Sequence, residues 1–245
     1  MKNTGMKDEN VDNSSQKKLK KTLLFYTMNE IEAVKSIFDK IPINLFDEFF
    51  IIDNNSTDGT VEFLEKRGVK IIQQKKPGRT NALIEGIEYA SGDIIVNLSS
   101  DGNENPEDVP KLLEKLEEGY DMVTASRFLP ESKVDVEDDK FRFRVFGNKL
   151  AAALVNLCWG TNITDTTNAL RGFTKSFYKK AKLDTFGYTE NFQLSIRCGK
   201  LKAKIAEIPT EELPRIGGVV KAKTTPVMID MLKVFLNELK IGNNF

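Results

Sequence analysis

The run Phe49-Phe50-Ile51-Ile52-Asp53-Asn54-Asn55-Ser56-Thr57-Asp58-Gly59-Thr60 passes abruptly from four apolar residues to a block of small and polar ones. Four consecutive apolar residues suit a strand buried on both faces, as parallel sheets require. The polar block behind them has the Asp, Asn, Ser and Gly content of a tight turn. Val61 and Leu64 then begin a short helix that Gly68 ends. A carboxylate at Asp53 would be able to accept a hydrogen bond from a nucleobase N–H, and Ser56 and Thr57 would be able to cap the helix that follows. The same residues also suit a turn with no ligand.

Outward from this unit the pattern repeats. Leu23 to Tyr26 reads as a strand, followed by a helix whose Ile31, Val34, Phe38 and Ile41 share one face up to Pro42. Val69 to Ile72 is a third strand. Ala82, Leu83, Gly86, Ile87 and Ala90 mark a helix closed at Ser91-Gly92, and Ile94 to Leu98 is a fourth strand. A helix spans Pro106 to Glu118, with Val109, Leu112, Leu113 and Leu116 in register, and Met122 to Ala125 is a fifth strand. Strands joined by single helices predict right-handed crossovers and a largely parallel sheet, whose ligands sit beyond the carboxyl ends of the strands. The polar segments 27–30, 53–60, 75–79 and 99–105 occupy those ends.

The second half is less regular. Glu131 to Lys140 is an acidic, loop-like stretch expected to be mobile. Helices are expected from about Phe146 to Trp159 and from Asn191 to Gly199, and strands at Ala169 to Phe173 and Lys204 to Ile208. Met228, Met231, Leu232, Phe235 and Leu239 form the apolar face of a C-terminal amphipathic helix. Residues 1–20, rich in Lys, Asn and Ser, read as a disordered arm. The rest, 21–240, reads as one α/β domain, with a nucleotide-binding half (21–127) and an acceptor-binding half (128–240).

Composition narrows the chemistry. In 245 residues, 36 basic side chains balance 36 acidic ones, which argues against nucleic-acid binding by a basic surface. There is no histidine, hence neither the usual neutral-pH proton shuttle nor the commonest zinc ligand. Cys158 and Cys198 have no metal-binding spacing, and a reducing, cytoplasmic setting is expected. The longest apolar run, Leu150 to Trp159, is well short of the roughly 20 residues of a membrane span. Trp159 reads as a packing residue before a sugar platform. Phe141, Phe143 and Phe146 alternate with Arg142 and Arg144, which suits either packing or an amphipathic surface facing lipid.

A second polar segment, Ser99-Ser100-Asp101-Gly102-Asn103-Glu104-Asn105-Pro106, follows the fourth strand. A carboxylate there would be able to hold a hard divalent cation that neutralises a diphosphate leaving group. A turn leading to Pro at a helix start accounts for the same letters. The ordered set decides more than either piece. Asn29-Glu30, the 53–60 block, Gly78-Arg79, Ala90-Ser91-Gly92-Asp93, Asp101 with Pro106 and Ala125-Ser126-Arg127-Phe128 together resemble the family-2 glycosyltransferases of the GT-A fold. The continuation is similar to their polyprenyl-phosphate branch, of the dolichyl-phosphate mannosyltransferase kind. It comprises Arg144, Gly147-Asn148-Lys149, Asp165 to Phe173, Glu207-Ile208-Pro209, Arg215, Gly218 and Lys221.

The resemblance implies a GT-A, Rossmann-like α/β fold with a mostly parallel sheet flanked by helices. It implies that Glu30 and Asp53 bind the ribose and base of a nucleotide-sugar, with Asn55, Arg79 and Ser99 alongside. Asp101, with Asn103, would carry Mg²⁺ or Mn²⁺. Asp165 and Arg171 would line the sugar and acceptor pocket, and Arg127 and Arg144 would grip an acceptor phosphate. Arg215 and Lys221 would close over the diphosphate. The activity implied is inverting transfer from GDP-mannose or UDP-glucose to a polyprenyl phosphate, at the cytoplasmic face of a membrane with peripheral contact; a homodimer through the C-terminal helix is also open. A phosphate acceptor is already anionic and needs no base. A saccharide or lipid hydroxyl acceptor would need one, and Glu190 is the local candidate. Ser99 replaces the first aspartate of the usual Asp-x-Asp pair, Asn54 the second aspartate of the earlier pair, and Thr27-Met28 the usual residues before Asn-Glu. Gln193 stands where the late helix usually has Glu. These departures lower the expected metal affinity and leave a third reading, a nucleotide-sugar-binding protein of weak activity.

Overall fold

The apolar runs become a seven-stranded sheet with helices on both faces. This computed structural model describes residues 18–133, 139–217 and 222–245, with 139–143 as backbone only. Strands β1 (Lys21–Thr27), β2 (Glu48–Asp53), β3 (Lys70–Gln73) and β4 (Ile94–Ser99) pair in parallel in the order β3-β2-β1-β4. Beyond β4 come β6 (Arg171–Thr174), β5 (Met122–Ser126) and β7 (Ile205–Pro209). β6 runs antiparallel to both of its neighbours, and β7 returns parallel to β5.

Alternation along the strands builds two cores. Leu23 and Phe25 of β1, with Ile51 and Val96, pack on the face covered by α1 (Ile31–Ile37), α2 (Thr60–Glu65) and α4 (Val109–Glu117). Leu24, Phe50, Ile52 and Ile95 face α3 (Arg79–Tyr89), α6 (Lys175–Ala181) and α7 (Glu190–Lys200). A third, smaller cluster joins α5 (Asp139–Trp159), α7 and α8 (Thr224–Ile241) through Val155, Phe192, Ile196, Met231 and Phe235. Trp159 packs edge-on against Phe235 there, at 5.5 Å between ring centroids, so its role in this structure is packing.

Several boundaries differ from the sequence pattern. α1 ends at Ile37 and tightens into a 3₁₀ turn at 38–40, which keeps Phe38 and Ile41 buried. α5 begins at Asp139, within the stretch expected to be a loop. β6 begins at Arg171, two residues later than expected, and α6 follows it directly, capped by Thr174 Oγ1. The intruding β6 fits because residue 172 is glycine: a Cβ there would fall 2.5 Å from Leu116 Cδ1 of α4. Lys20 is anchored to the sheet, its amide donating to Asp93 Oδ2 at 3.0 Å. Most of the N-terminal arm, Phe141, Arg142 and Phe143 as side chains, and Gly218 and Lys221 lie outside the described residues.

Candidate active site

The parallel strands end in polar loops that fold onto one another. Asn29 Oδ1 accepts the Thr57 amide at 2.7 Å, and the Asn29 amide donates to Ser56 Oγ at 2.9 Å. Asp58 Oδ2 accepts the Ile31 amide at the start of α1, while its Oδ1 accepts the Thr60 amide at the start of α2. The capping expected of Ser56 and Thr57 is thus done by Asp58, and these two residues tie the 53–60 loop to Asn29. Asn29 and Asn55 both adopt the left-handed conformation, at φ 55°, that asparagine tolerates best after glycine. Asp53 is buried, with its two oxygens engaged by the Ser56 amide and hydroxyl. Asn55 is exposed and accepts from Gln73 Nε2 at 3.0 Å.

A cavity of about 960 Å³ opens at these strand ends. Its polar half is lined by Tyr26, Glu30, Arg79, Ser99, Asp101 and Glu104, among others. Arg215 bridges it: Nη1 donates to Asp101 Oδ2 at 2.7 Å and Nη2 contacts Glu30 Oε1. Arg79, at the first turn of α3, ion-pairs with Glu190 Oε1 at 2.8 Å and donates to the Tyr26 hydroxyl at 3.1 Å. Burial pushes the Tyr26 phenol up to about 12, so it stays a neutral acceptor and donor. Glu190 is buried behind Arg79, accepts from Thr80 Oγ1 at 3.1 Å, and is not among the residues lining the cavity.

The cavity continues toward α5 and α8. Arg127 donates a forked pair to Asp165, Nε to Oδ2 at 2.7 Å and Nη2 to Oδ1 at 3.0 Å, and reaches Thr167 Oγ1 at 2.9 Å. Burial opposes ionisation of Asp165, but the Arg127 charge and hydrogen bonds prevail and hold its carboxyl below the usual range. Asp165 is fully buried and takes the amides of Thr167 and Asn168, so it positions Arg127 and does not itself face the cavity. Arg171 is also away from the cavity. It is fully buried, bonded to the carbonyls of Asn168 and Asn191, and burial lowers it to about 10. Arg144 is exposed on α5 and lines the cavity, beside the apolar side chains Phe146, Leu150 and Leu154 of α5 and Met228, Leu232 and Phe235 of α8. The two helices come together at Gly147, where a Cβ would stand 3.0 Å from Met228 Cε. Lys221 lies outside the described residues.

Residues 28–181 match the sequence pattern of the Glycosyl transferase family 2. The chain belongs to that family. Among known relatives of this glycosyltransferase, "Glycosyltransferase AglJ" of Haloferax volcanii is 27% identical over 198 residues, covering 80% of this chain and 64% of the relative. "Dolichol-phosphate mannosyltransferase" of Pyrococcus furiosus is 27% identical over 199 residues, covering 78% and 56% respectively. The chain therefore spans about three-fifths of the length of these relatives. Among solved structures, the glucosyl-3-phosphoglycerate synthase of Mycobacterium tuberculosis with UDP superposes with a TM-score of 0.69 at 21% identity, over 89% of this chain and 80% of that one. The same enzyme with Mn²⁺, UDP and phosphoglyceric acid gives 0.68 at 19%, over 91% and 78%. These likenesses bear on the fold, which is α/β with a mixed, mostly parallel sheet. Among the described residues no helix is long and apolar enough to cross a membrane.

The residues at the end of β4 fit a divalent cation by their chemistry. Their donors are hard oxygens, the Asp101 carboxylate and the Asn103 amide oxygen, and Asn103 Oδ1 is buried without a hydrogen-bond partner. Glu104, which the sequence reading passed over, lines the same cavity. Burial, and next the Asp101 charge, push its carboxyl up to about 7. The available signal was its place in the 99–106 turn. That it faces inward follows only from the packing.

Proposed function

We propose that this family-2 glycosyltransferase moves a sugar from GDP-mannose or UDP-glucose to a polyprenyl phosphate, with inversion at the anomeric carbon. The observation that carries the reading is the continuity of one cavity. A polar end with Asp101, Glu30 and Arg79 runs into an apolar groove between α5 and α8, with Arg127 and Arg144 along its wall. A charged donor, an acceptor phosphate and a hydrocarbon tail call for that sequence of surfaces. The relation to a dolichol-phosphate mannosyltransferase supports the same acceptor class.

In this reading Glu30 and Arg79 meet the nucleotide, and Arg215 leaves its two carboxylates to face the diphosphate, a better-matched anion for a forked guanidinium. Mg²⁺ or Mn²⁺ held by Asp101 and Asn103 would neutralise the departing nucleoside diphosphate. Arg127, held in orientation by Asp165, and Arg144 bind the acceptor phosphate. That phosphate attacks C1 from the face opposite the diphosphate, forming the new C–O bond as the old one breaks, and no protein base is needed. The burial of Glu190 behind Arg79 favours this over a hydroxyl acceptor.

The test is nucleoside-diphosphate release from GDP-mannose and UDP-glucose, with polyprenyl phosphate or with saccharide acceptors. Release dependent on polyprenyl phosphate is expected. Turnover confined to hydroxyl acceptors, or none with any donor, would overturn the proposal.

A further inference from the structure

Ser99 touches two carboxylates at once. Its amide donates to Glu104 Oε2 at 2.7 Å, and its hydroxyl donates to Asp101 Oδ1 at 3.2 Å. Both carboxylates line the polar end of the cavity, and so does Asn103, whose Oδ1 is buried without a partner and whose backbone amide donates to Asp101 Oδ1 at 3.4 Å. Asp101 has a cationic neighbour in Arg215. Glu104 is only 6% exposed, yet among the described residues it forms no ion pair with Lys or Arg. Buried carboxylates are ordinarily paired with a cation or coordinated to a metal. A purely local role, bracing the turn through the Ser99 amide, requires an acceptor oxygen at that place but not a charge.

We propose that Glu104 is a cation-ligating carboxylate of this site, supplying from five residues downstream the negative charge that a serine at position 99 omits. The inference rests on the proposed metal-assisted transfer and names a ligand for it. Asp101 alone would hold a divalent ion weakly, because affinity in oxygen sites follows the number of charged ligands. With Glu104 and the amide oxygen of Asn103 the chain offers three oxygen ligands on one turn, leaving other positions to water and diphosphate.

The discriminating variant is Glu104→Gln, which keeps an acceptor for the Ser99 amide and removes only the charge. Mn²⁺ is titrated into the full chain by the EPR signal of the free aquo ion, with UDP present and, in a parallel series, with GDP. Metal-free nucleotide binding is measured by calorimetry. The expected result is a Mn²⁺ dissociation constant raised by roughly tenfold or more, metal-free nucleotide binding no weaker than in the wild type, and recovery of Mn²⁺ binding in the double variant Ser99→Asp/Glu104→Gln. Should Glu104→Gln not fold, Glu104→Asp, shorter by one methylene, is expected to weaken Mn²⁺ binding in the same direction. Unaltered Mn²⁺ affinity in the folded variant, or no recovery in the double variant, overturns the assignment while leaving the transferase reading intact. A wild-type chain that binds nucleotide but no Mn²⁺ also overturns it, and a chain that binds neither nucleotide overturns the parent reading as well.

Discussion

Glu104 carries a cost that pH exposes. With its carboxyl raised from 4.5 to about 7, the folded state keeps a proton there that the unfolded chain has already released. Between those values each pH increment therefore lowers stability, and above about 7 the loss is complete. At about 1.4 kcal/mol per unit, the penalty is on the order of 3 kcal/mol. Glu104→Gln, which cannot ionise, should gain that much on wild type between pH 5 and pH 8 in metal-free denaturant unfolding. An advantage independent of pH would show that Glu104 is not buried in the charged form. Two arginines separate on similar grounds. Arg127→Ala leaves Asp165 buried without its partner, so a folding loss of about 3–5 kcal/mol accompanies any loss of activity. Arg144 is exposed, and a contact made at the surface is worth no more than about 1 kcal/mol. Arg144→Ala therefore gives the cleaner reading: KM for polyprenyl phosphate rises with a far smaller loss of stability than Arg127→Ala causes. Glu190→Gln should lower kcat by less than the roughly 100-fold that removal of a general base costs, and a larger drop in steady-state assays would favour a hydroxyl acceptor.

Among the elements, α8 is the one whose placement was least expected. Its apolar positions pack on α5 and α7, yet its firmest attachment is ionic. Glu238, fully buried, accepts from Arg197 Nε at 3.0 Å and Nη2 at 2.8 Å, and from Lys200 Nζ at 2.5 Å. Gln193 Nε2 also donates to it at 2.8 Å, so the glutamine at the position where the resemblance led to the expectation of Glu serves as a donor to a buried carboxylate, which a Glu could not do while ionised. Glu238→Ala would leave the buried Lys200 without its carboxylate and Arg197 with only the largely exposed Asp184, at 2.6 Å, as counter-charge. It should destabilise the fold by about 3–5 kcal/mol, read as a lower denaturation midpoint. A midpoint within error of wild type would show that water replaces the carboxylate.

Across the whole molecule, one cavity joins charged and apolar walls. Leu150 and Leu154 on α5 and Ile229 and Leu232 on α8 are exposed, an arrangement that a chain closed on its own core would not need. Leu150→Asp and Leu232→Asp lie on this surface and should leave folding stability nearly unchanged. They should raise KM for long polyprenyl phosphates far more than for a short, water-soluble prenyl phosphate. Equal effects on both acceptors would mean that the groove does not hold the tail.

The strands and most helices were legible because apolar periodicity is local: Leu23 to Tyr26 and Phe49 to Ile52 are apolar runs bounded by polar residues, of strand length and too short for a buried helix. The polar ends of β1, β2 and β4 followed from the same order, and with them the loops that surround the polar end of the cavity. Local pattern could not say that β6 would enter the sheet between β4 and β5 in the opposite direction, because strand order depends on pairings between residues far apart in the chain. Nor could it separate the groups that face the cavity from those that hold them. Asp53 and Glu190 by type and position, and Asp165 and Arg171 by the family resemblance, read as site residues, whereas burial and hydrogen bonding set all four behind the cavity wall; Glu104 read as a turn residue and faces inward. Side-chain direction is decided when distant elements pack, where desolvation assigns each polar group a partner.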